Sequence, residues 1–449
     1  MKDNKTLRIE LALEIKIPEN AGLFQALVLA FWQFQGIVAR ELFVAVLKAL
    51  ETRVLEELHV EYPGRFQNKD SRRRVLELPF GRVEMWLLRV RDCLEKKNYP
   101  LLRTALDLPK RIHWSEDTLL PGYRVAVIQS FRESAKTVKG NNPQGRGPSH
   151  ETIHRRFQEF AEKHMDPRAP APRQPGSSAD PSKYQMADGT KVKRQEKGWA
   201  SGDMDMRIVL GSRNPGGTLE VLDFSLGESW DELGARIRKR FSKPPKVVVS
   251  DGEEGIPNAL GDKDTVRQRC LRHGERNLKY VLYREGIKGE KQAPIIRAYQ
   301  RVDALMACQK EVQELETDTK KHLRKLLREA EKAFERLKRY VPDHKLPETR
   351  EYVYKLIEDG LSYLRLLLEE GVAIQVSTNK IESLMSRLAL RIKRIGRRWS
   401  QRGGANMLAA CLVYALHPEK YAEAEAEIKG QPLPQVSILI QSLQTAWVS

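Results

Sequence analysis

The run Lys246–Ser250, KVVVS, constrains this chain more than any other stretch. Three consecutive valines leave no polar face, so a strand here must be covered on both sides. That is the condition of a strand inside a sheet flanked by helices on each face. The surrounding pattern agrees. Tyr184–Val192, Met204–Gly211 and Thr218–Leu226 read as strands, with Pro215–Gly217 as a turn between the last two, and Trp230–Phe241 reads as a helix. The expected fold class is α/β.

Upstream of this core the pattern is different. Residues 7–17 alternate apolar and polar as a half-buried strand does, and Leu23–Leu58 carries a long helical pattern. Arg74–Leu78 and Val83–Val90 read as a hairpin turning at Pro79-Phe80-Gly81, and Leu101–Leu108 as a short helix stopped by Pro109. Tyr123–Val138 reads as one helix. A second begins after Ser149, a good N-cap, and exposes Arg155 and Arg156. Two such helices fit either a helix-turn-helix with its second helix in a DNA groove or an ordinary helical hairpin, since the connection is long. PRAPAPRQPGSSADP, Pro167–Pro181, cannot form a ladder or a helix and is expected to be the main linker.

Downstream, Thr265–Tyr363 reads as almost wholly helical, with an apolar stripe through Leu323, Leu326, Leu327, Ala330, Phe334, Leu337 and Val341. Final helices are expected over about Asn379–Lys393 and Gly404–Leu416. The expected organisation is a helical and hairpin region (1–119), a helix-turn-helix-like segment (120–166), a linker (167–183), a core (184–264) with a helical insertion (265–370), the rest of the core (371–425) and a tail (426–449).

Charge narrows the partners. Among 449 residues the formal net charge is +18, which favours a polyanion such as DNA. Four scattered cysteines do not make a disulfide framework and point to a reducing compartment. The N-terminus lacks the apolar run of a signal peptide. Gly22–Val38 is broken by Gln25, Gln33 and Gln35, so no membrane span is expected. The expected location is the cytoplasm, at the nucleoid when bound to DNA.

Three carboxylates stand out as candidates for two-metal phosphodiester chemistry, which needs oxygen ligands shared between divalent ions. Asp188 lies in the strand YQMADGTKV, Asp251 follows KVVVS, and Glu382 lies at the start of the helix in STNKIESLMSRL. Each has a bland reading too. Asp-Gly is a common turn pair, and helices are rich in Glu. Asp203, Asp205 and Asp223 are weaker competitors at strand edges or loops, and Glu253 and Glu254 read as caps of the following helix. Around Glu382 the segment Lys380–Arg402 carries Lys380, Arg387, Arg391, Lys393, Arg394, Arg397, Arg398 and Arg402, a set suited to positioning DNA phosphates. Trp399 within it fits either an extruded base or the core. Cys270 and His273 form a metal-like pair, but no second pair at finger-like spacing follows, so zinc is not expected.

The order of elements matches an RNase H-like sheet, and three segments resemble the Mutator-type insertion-sequence transposases and their archaeal relatives. VVSDGEEGIPNAL followed by VRQRCLRHGERNLKYVLY resembles that family's second-aspartate and Cys-x-x-His region, with Cys270 and His273. STNKIESLMSRLALRIKRIGRRWS resembles its Thr-Asn-x-Ile-Glu helix, with Asn379, Glu382 and Trp399, and LPFGRVEMWLLRVRD is similar to its N-terminal strand pair. The resemblance covers about residues 70–420. It implies an RNase H-like mixed sheet interrupted by a helical insertion, with a mostly helical DNA-binding region before it. It implies Asp188, Asp251 and Glu382 as a triad holding two Mg²⁺, with Mn²⁺ as a substitute. It further implies cleavage at element ends, strand transfer into target DNA, and a homodimer on DNA. An inactive DNA-binding regulator and a nuclease without strand transfer share these features.

Overall fold

The computed structural model describes residues 23–102, 114–171, 180–195, 201–241, 243–307, 319–341, 345–395 and 398–429. The strand expected over residues 7–17, most of Leu101–Leu108, Cys308, Arg397 and residues 430–449 lie outside the described residues. The chain divides into two compact units, Met1–Phe160 with Glu419–Ser449, and Ala161–Pro418.

In the first unit, helix α1 (Leu23–Glu61) precedes a three-stranded antiparallel sheet of β1 (Phe66–Leu78), β2 (Gly81–Asp92) and β3 (Lys97–Pro100). Leu78 pairs with Gly81 across the Pro79-Phe80 turn. Alternation does its usual work on β2: Val83, Met85 and Leu87 are buried in one cluster with Leu47 of α1, while Glu84 and Trp86 face outward.

Helices α2 (Glu116–Ala126), α3 (Phe131–Asn141) and α4 (His150–His164) follow. The single helix expected over Tyr123–Val138 is therefore two. Ser130 breaks it by capping α3, its hydroxyl accepting from the Glu133 amide at 3.2 Å. Ser149 caps α4 in the same way through the Thr152 amide. An aromatic core of Tyr123, Phe131, Phe157 and Phe160 joins the three helices. Tyr421 of the helix Pro418–Lys429 meets Phe160 edge to face, with ring centroids 5.8 Å apart, and Glu425 pairs with Arg124. Residues 419–425, expected in the core, thus belong to the first unit.

The second unit is mixed α/β around a five-stranded sheet of order β6-β5-β4-β7-β8. Its strands are β4 (Tyr184–Gln195), β5 (Ser201–Ser212), β6 (Glu220–Leu226), β7 (Val247–Ser250) and β8 (Val266–Arg269). β4, β5 and β6 pair antiparallel, whereas β7 runs parallel to both β4 and β8. The last strand corrects the expectation that everything from Thr265 is helical. VRQR lacks an apolar alternation because it is an edge strand whose polar side chains are used. Buried Gln268 donates to the Gly360 carbonyl at 3.1 Å and accepts from the Tyr363 amide at 2.8 Å.

One face of the sheet carries α5 (Trp230–Arg240) and α6 (Gly255–Leu260). Ala187, Val209 and Val248 pack there against Trp230, Leu233, Ile237, Ile256 and Leu260. A Ser229/Glu232 capping box starts α5. The expected Pro-rich linker is not free at its start, because the Ala169 amide donates to Val221 on the edge strand β6 at 2.7 Å. An open edge offers such unpaired carbonyls. Residues 172–179 lie outside the described residues.

The helical insertion follows β8 as α7 (Arg272–Arg284), α8 (Ala293–Ala307), α9 (Thr319–Tyr340), α10 (Pro347–Gly360) and α11 (Ser362–Glu370). In α9 the stripe Leu323, Leu326, Ala330, Phe334 and Leu337 is buried, as its spacing demands. Helix α12 (Asn379–Ala389), a π-turn over Leu390–Arg394 and α13 (Gln401–Leu416) then return to the sheet. Among the described residues no helix is long and apolar enough to cross a membrane.

Gly234 in α5 shows how closely the two helices meet on the sheet. A Cβ there would overlap the Ala259 carbonyl, 2.9 Å from its carbon. Helix propensity alone favours Ala over Gly by about 1 kcal/mol, but overpacking against immovable backbone costs about 1–3 kcal/mol. Gly234→Ala should therefore lower stability in urea denaturation. A stabilised variant would contradict this packing.

Candidate active site

Sheet register brings two of the three carboxylates together. The β4–β7 ladder ends with Met186 opposite Val249, and Asp188 and Asp251 stand two residues further along their parallel strands. Neighbouring strands lie roughly 4.8 Å apart and period 2 keeps both residues on the face away from Ala187 and Val248. Asp251 leaves the strand in an Asp-Gly turn. Gly252 has φ +99°, and a Cβ there would strike the Arg269 guanidinium. The glycine is needed both for its backbone and for the space.

Glu382 arrives from the same face, where α12 packs against β4 and α13 against β6. It sits in the first turn of α12, behind the half-buried Asn379. Thr378, fully buried before that turn, does not cap the helix; its hydroxyl donates to Glu382 Oε1 at 2.6 Å. Its amide donates to Cys270 Sγ at 3.3 Å, and His273 Nδ1 lies 3.4 Å from its hydroxyl. His273 Nε2 is 3.6 Å from Glu382 Oε1. The Cys-x-x-His turn, the Thr-Asn helix start and the third carboxylate are one cluster.

Charges in this cluster are coupled. Burial, then the negative charge of Asp251, then that of Glu382 push the Asp188 carboxyl up to about 6, against a hydrogen bond from the Gly189 amide and the field of His273. His273 is held above its ordinary value, chiefly by its hydrogen bond with Cys270. Burial opposes ionisation of Cys270, but hydrogen bonds with His273 and Thr378 outweigh it and leave the thiol below the usual range.

The helical insertion supports this cluster from behind. Tyr299 donates to the Leu271 carbonyl at 2.6 Å, and Tyr352 to the Gly274 carbonyl at 3.2 Å. Arg269 lies over the Tyr352 ring at 4.4 Å, and Asn277 donates to the Asp251 carbonyl at 3.3 Å. Thr378, Asn277 and Arg269 were not singled out in the sequence. Thr378 had a signal, its position four residues before a candidate carboxylate on a helix.

The competing acids are otherwise engaged. Asp203 pairs with Lys193, Asp205 with Arg207, and buried Asp223 with Arg236. Glu253 does not cap α6; it accepts from Trp230 Nε1 at 2.9 Å. Glu254 stands at the cap position without a side-chain cap bond and pairs with Lys355.

The basic set divides. Lys380, Arg387, Lys393, Arg394 and Arg398 are exposed, with Lys380 reaching the Gly216 carbonyl and Lys393 the Thr190 hydroxyl on β4. Arg391 is buried to 2 % exposure against the Trp399 ring, so neither side chain is offered to a partner at the surface. Trp399 fills the core: its indole donates to the Ile392 carbonyl and its backbone pairs with Lys193 and Gln195 at the end of β4. In the first unit Arg155 is exposed on α4. Arg156 is half-buried and paired with Glu116 and Glu159 instead of facing solvent. Sequence periodicity could not separate these cases, because an arginine that neutralises acids looks like one that awaits phosphate.

No family model matches this chain, and no curated protein matches it.

Asp188 gives a pH test with a defined sign. A carboxyl raised above its ordinary value favours the protonated fold, so without metal the protein loses stability as pH climbs from about 4 to about 6. Asp188→Asn removes that loss. In chelator, the variant should be more stable than the parent at pH 8, by on the order of 1–2 kcal/mol after allowance for partial solvent access, and should lose the advantage near pH 4. An advantage equal at both pH values would contradict a carboxyl raised by burial and neighbouring charge.

Proposed function

We propose that this protein is a DNA transposase of the Mutator-type insertion-sequence kind, with an RNase H-like core and an Asp188–Asp251–Glu382 triad. One observation carries the reading: the parallel β4–β7 register sets Asp188 and Asp251 side by side at their strand ends, and the helix that carries Glu382 packs against β4, although the three come from distant parts of the sequence. Strand order supports it, since β4, the first strand of the unit, lies beside β7, the fourth. That is the neighbour relation an RNase H-like site needs.

The residues fit Mg²⁺ or Mn²⁺. All three candidate ligands are carboxylates, and burial together with the charges of the other two raises Asp188, a cost that a divalent cation would relieve. When bound, two such ions supply activation of the attacking oxygen and charge neutralisation at the scissile phosphate. The chain supplies the rest. Asp188 and Asp251 offer oxygens from adjacent strand ends, and Thr378 holds one Glu382 oxygen by its hydroxyl. Lys380, Arg387, Lys393, Arg394 and Arg398 hold phosphates of the bound strand. Arg155 on the three-helix unit adds a second DNA contact, and a homodimer would place two such sites on paired element ends.

Purified protein should cleave DNA bearing the element's terminal repeats only with Mg²⁺ or Mn²⁺. Asp188→Asn, Asp251→Asn and Glu382→Gln should each lower the rate by at least about a thousandfold while leaving DNA binding unchanged. Asp203→Asn, which breaks only a surface ion pair, should cost less than about tenfold. A folded Glu382→Gln variant that cuts at the parental rate would overturn the triad. Cleavage without joining to target DNA would make the protein a nuclease.

A further inference from the structure

We propose that Cys270, His273 and Glu382 form a second, transition-metal site of the Zn²⁺ type, which holds Glu382 away from the Asp188–Asp251 pair. The donor atoms of these three residues, Cys270 Sγ, a ring nitrogen of His273 and a carboxylate oxygen of Glu382, all lie within 4.8 Å of one another. A tetrahedral ion with bonds of roughly 2.0–2.3 Å sets its donors roughly 3.3–3.7 Å apart, so small side-chain rotations close the site. His273 Nε2 and Glu382 Oε1, at 3.6 Å, already have that spacing.

The donor set selects the ion. Thiolate, imidazole and carboxylate together suit Zn²⁺, whereas Mg²⁺ takes oxygen ligands. One feature suits the sulfur to a metal: the Thr378 amide donates to Cys270 Sγ at 3.3 Å, a contact that a thiolate accepts more strongly than a thiol. Three protein ligands leave the fourth position to water, as in open zinc sites. The sequence hides the site because its third ligand comes from another helix, after the whole insertion.

The two sites compete for one carboxylate. Glu382 bound beside Cys270 and His273 is withdrawn from the oxygen-ligand site, so Zn²⁺ acts as an inhibitor of Mg²⁺-supported chemistry. The metal site stands on its own geometry; its inhibitory effect rests on the transposase reading.

The test uses the full chain and Co²⁺ as a spectroscopic substitute for Zn²⁺. Co²⁺ should produce a thiolate-to-metal charge-transfer band and the visible absorption of a tetrahedral ion, and about one equivalent of Zn²⁺ should bleach both. Cys411 is buried with its thiol pushed up to about 12, so it stays silent. Cys270→Ala should abolish the charge-transfer band, and His273→Gln should weaken Zn²⁺ binding by at least about tenfold. No charge-transfer band in the wild-type protein overturns the site without recourse to any variant, as does a band that survives Cys270→Ala. In the DNA cleavage assay Zn²⁺ should lower the Mg²⁺-supported rate at least about tenfold. A Co²⁺ band with no effect of Zn²⁺ on cleavage keeps the site and overturns its inhibitory role. A protein that cleaves no DNA at all leaves the absorption result standing and counts against the transposase reading alone.

Discussion

Burial of the Asp188 carboxylate at the end of a sheet strand, beside other negative charges, is the constraint around which this end of the second unit is arranged. Burial and two neighbouring negative charges drive the Asp188 carboxyl up to about 6. Left to itself, such a cluster would turn its side chains toward solvent or take up protons. The backbone around it denies that relaxation. Asp188 is held in a five-stranded sheet, with its own Oδ1 accepting from the Gly189 amide at 2.8 Å. Asp251 is held by a turn that only glycine can follow, with Asn277 on its carbonyl. Glu382 is held by Thr378 at one oxygen. Under the proposed function, this resistance to relaxation is what would pre-organise the three carboxylates for cations.

The insertion makes that resistance possible. Gly274 lies so close to Tyr299 that a Cβ would overlap the phenol oxygen, and the two tyrosines Tyr299 and Tyr352 each donate to a carbonyl of the Cys-x-x-His turn. α8 and α10 therefore fix the position of His273, and His273 in turn borders Glu382. A helical body between the second and third carboxylates is thus part of the site's support and not only a spacer. The same logic explains Arg391 and Trp399. Their stacking and the backbone pairing of Trp399 with the end of β4 tie the chain after α12 to the strand that carries Asp188.

Much of this was legible in the sequence, for identifiable reasons. KVVVS announced a covered strand because three valines admit no exposed face, and the three strands and helix before it kept clean periodicities. The stripe of α9 was legible because 3.6-residue spacing was sustained over several turns. β8 was not legible, since Gln268 and Arg269 are buried by hydrogen bonding and aromatic stacking, which leave no hydrophobic trace. The break between α2 and α3 was hidden inside an apparently continuous helical pattern, although Ser130 and Glu133 carried its signal. Among candidate site residues, spacing alone could not show that Cys270, His273 and Glu382 touch. Contact between the start of α7 and the start of α12 depends on tertiary packing, and the Thr-Asn-x-Ile-Glu pattern that includes Thr378, the residue that joins them, does not show which side chain Thr378 meets.

The most direct test of the central claim is where a divalent cation sits. Crystals of the full chain soaked in Mn²⁺, measured for anomalous scattering from manganese, locate the ion independently of any assay. The account predicts density bridging the carboxylates of Asp188 and Asp251, with Glu382 as a third or nearby ligand. Manganese bound elsewhere, with Asp188 and Asp251 free of it, would contradict the claim that these residues converge on one metal centre.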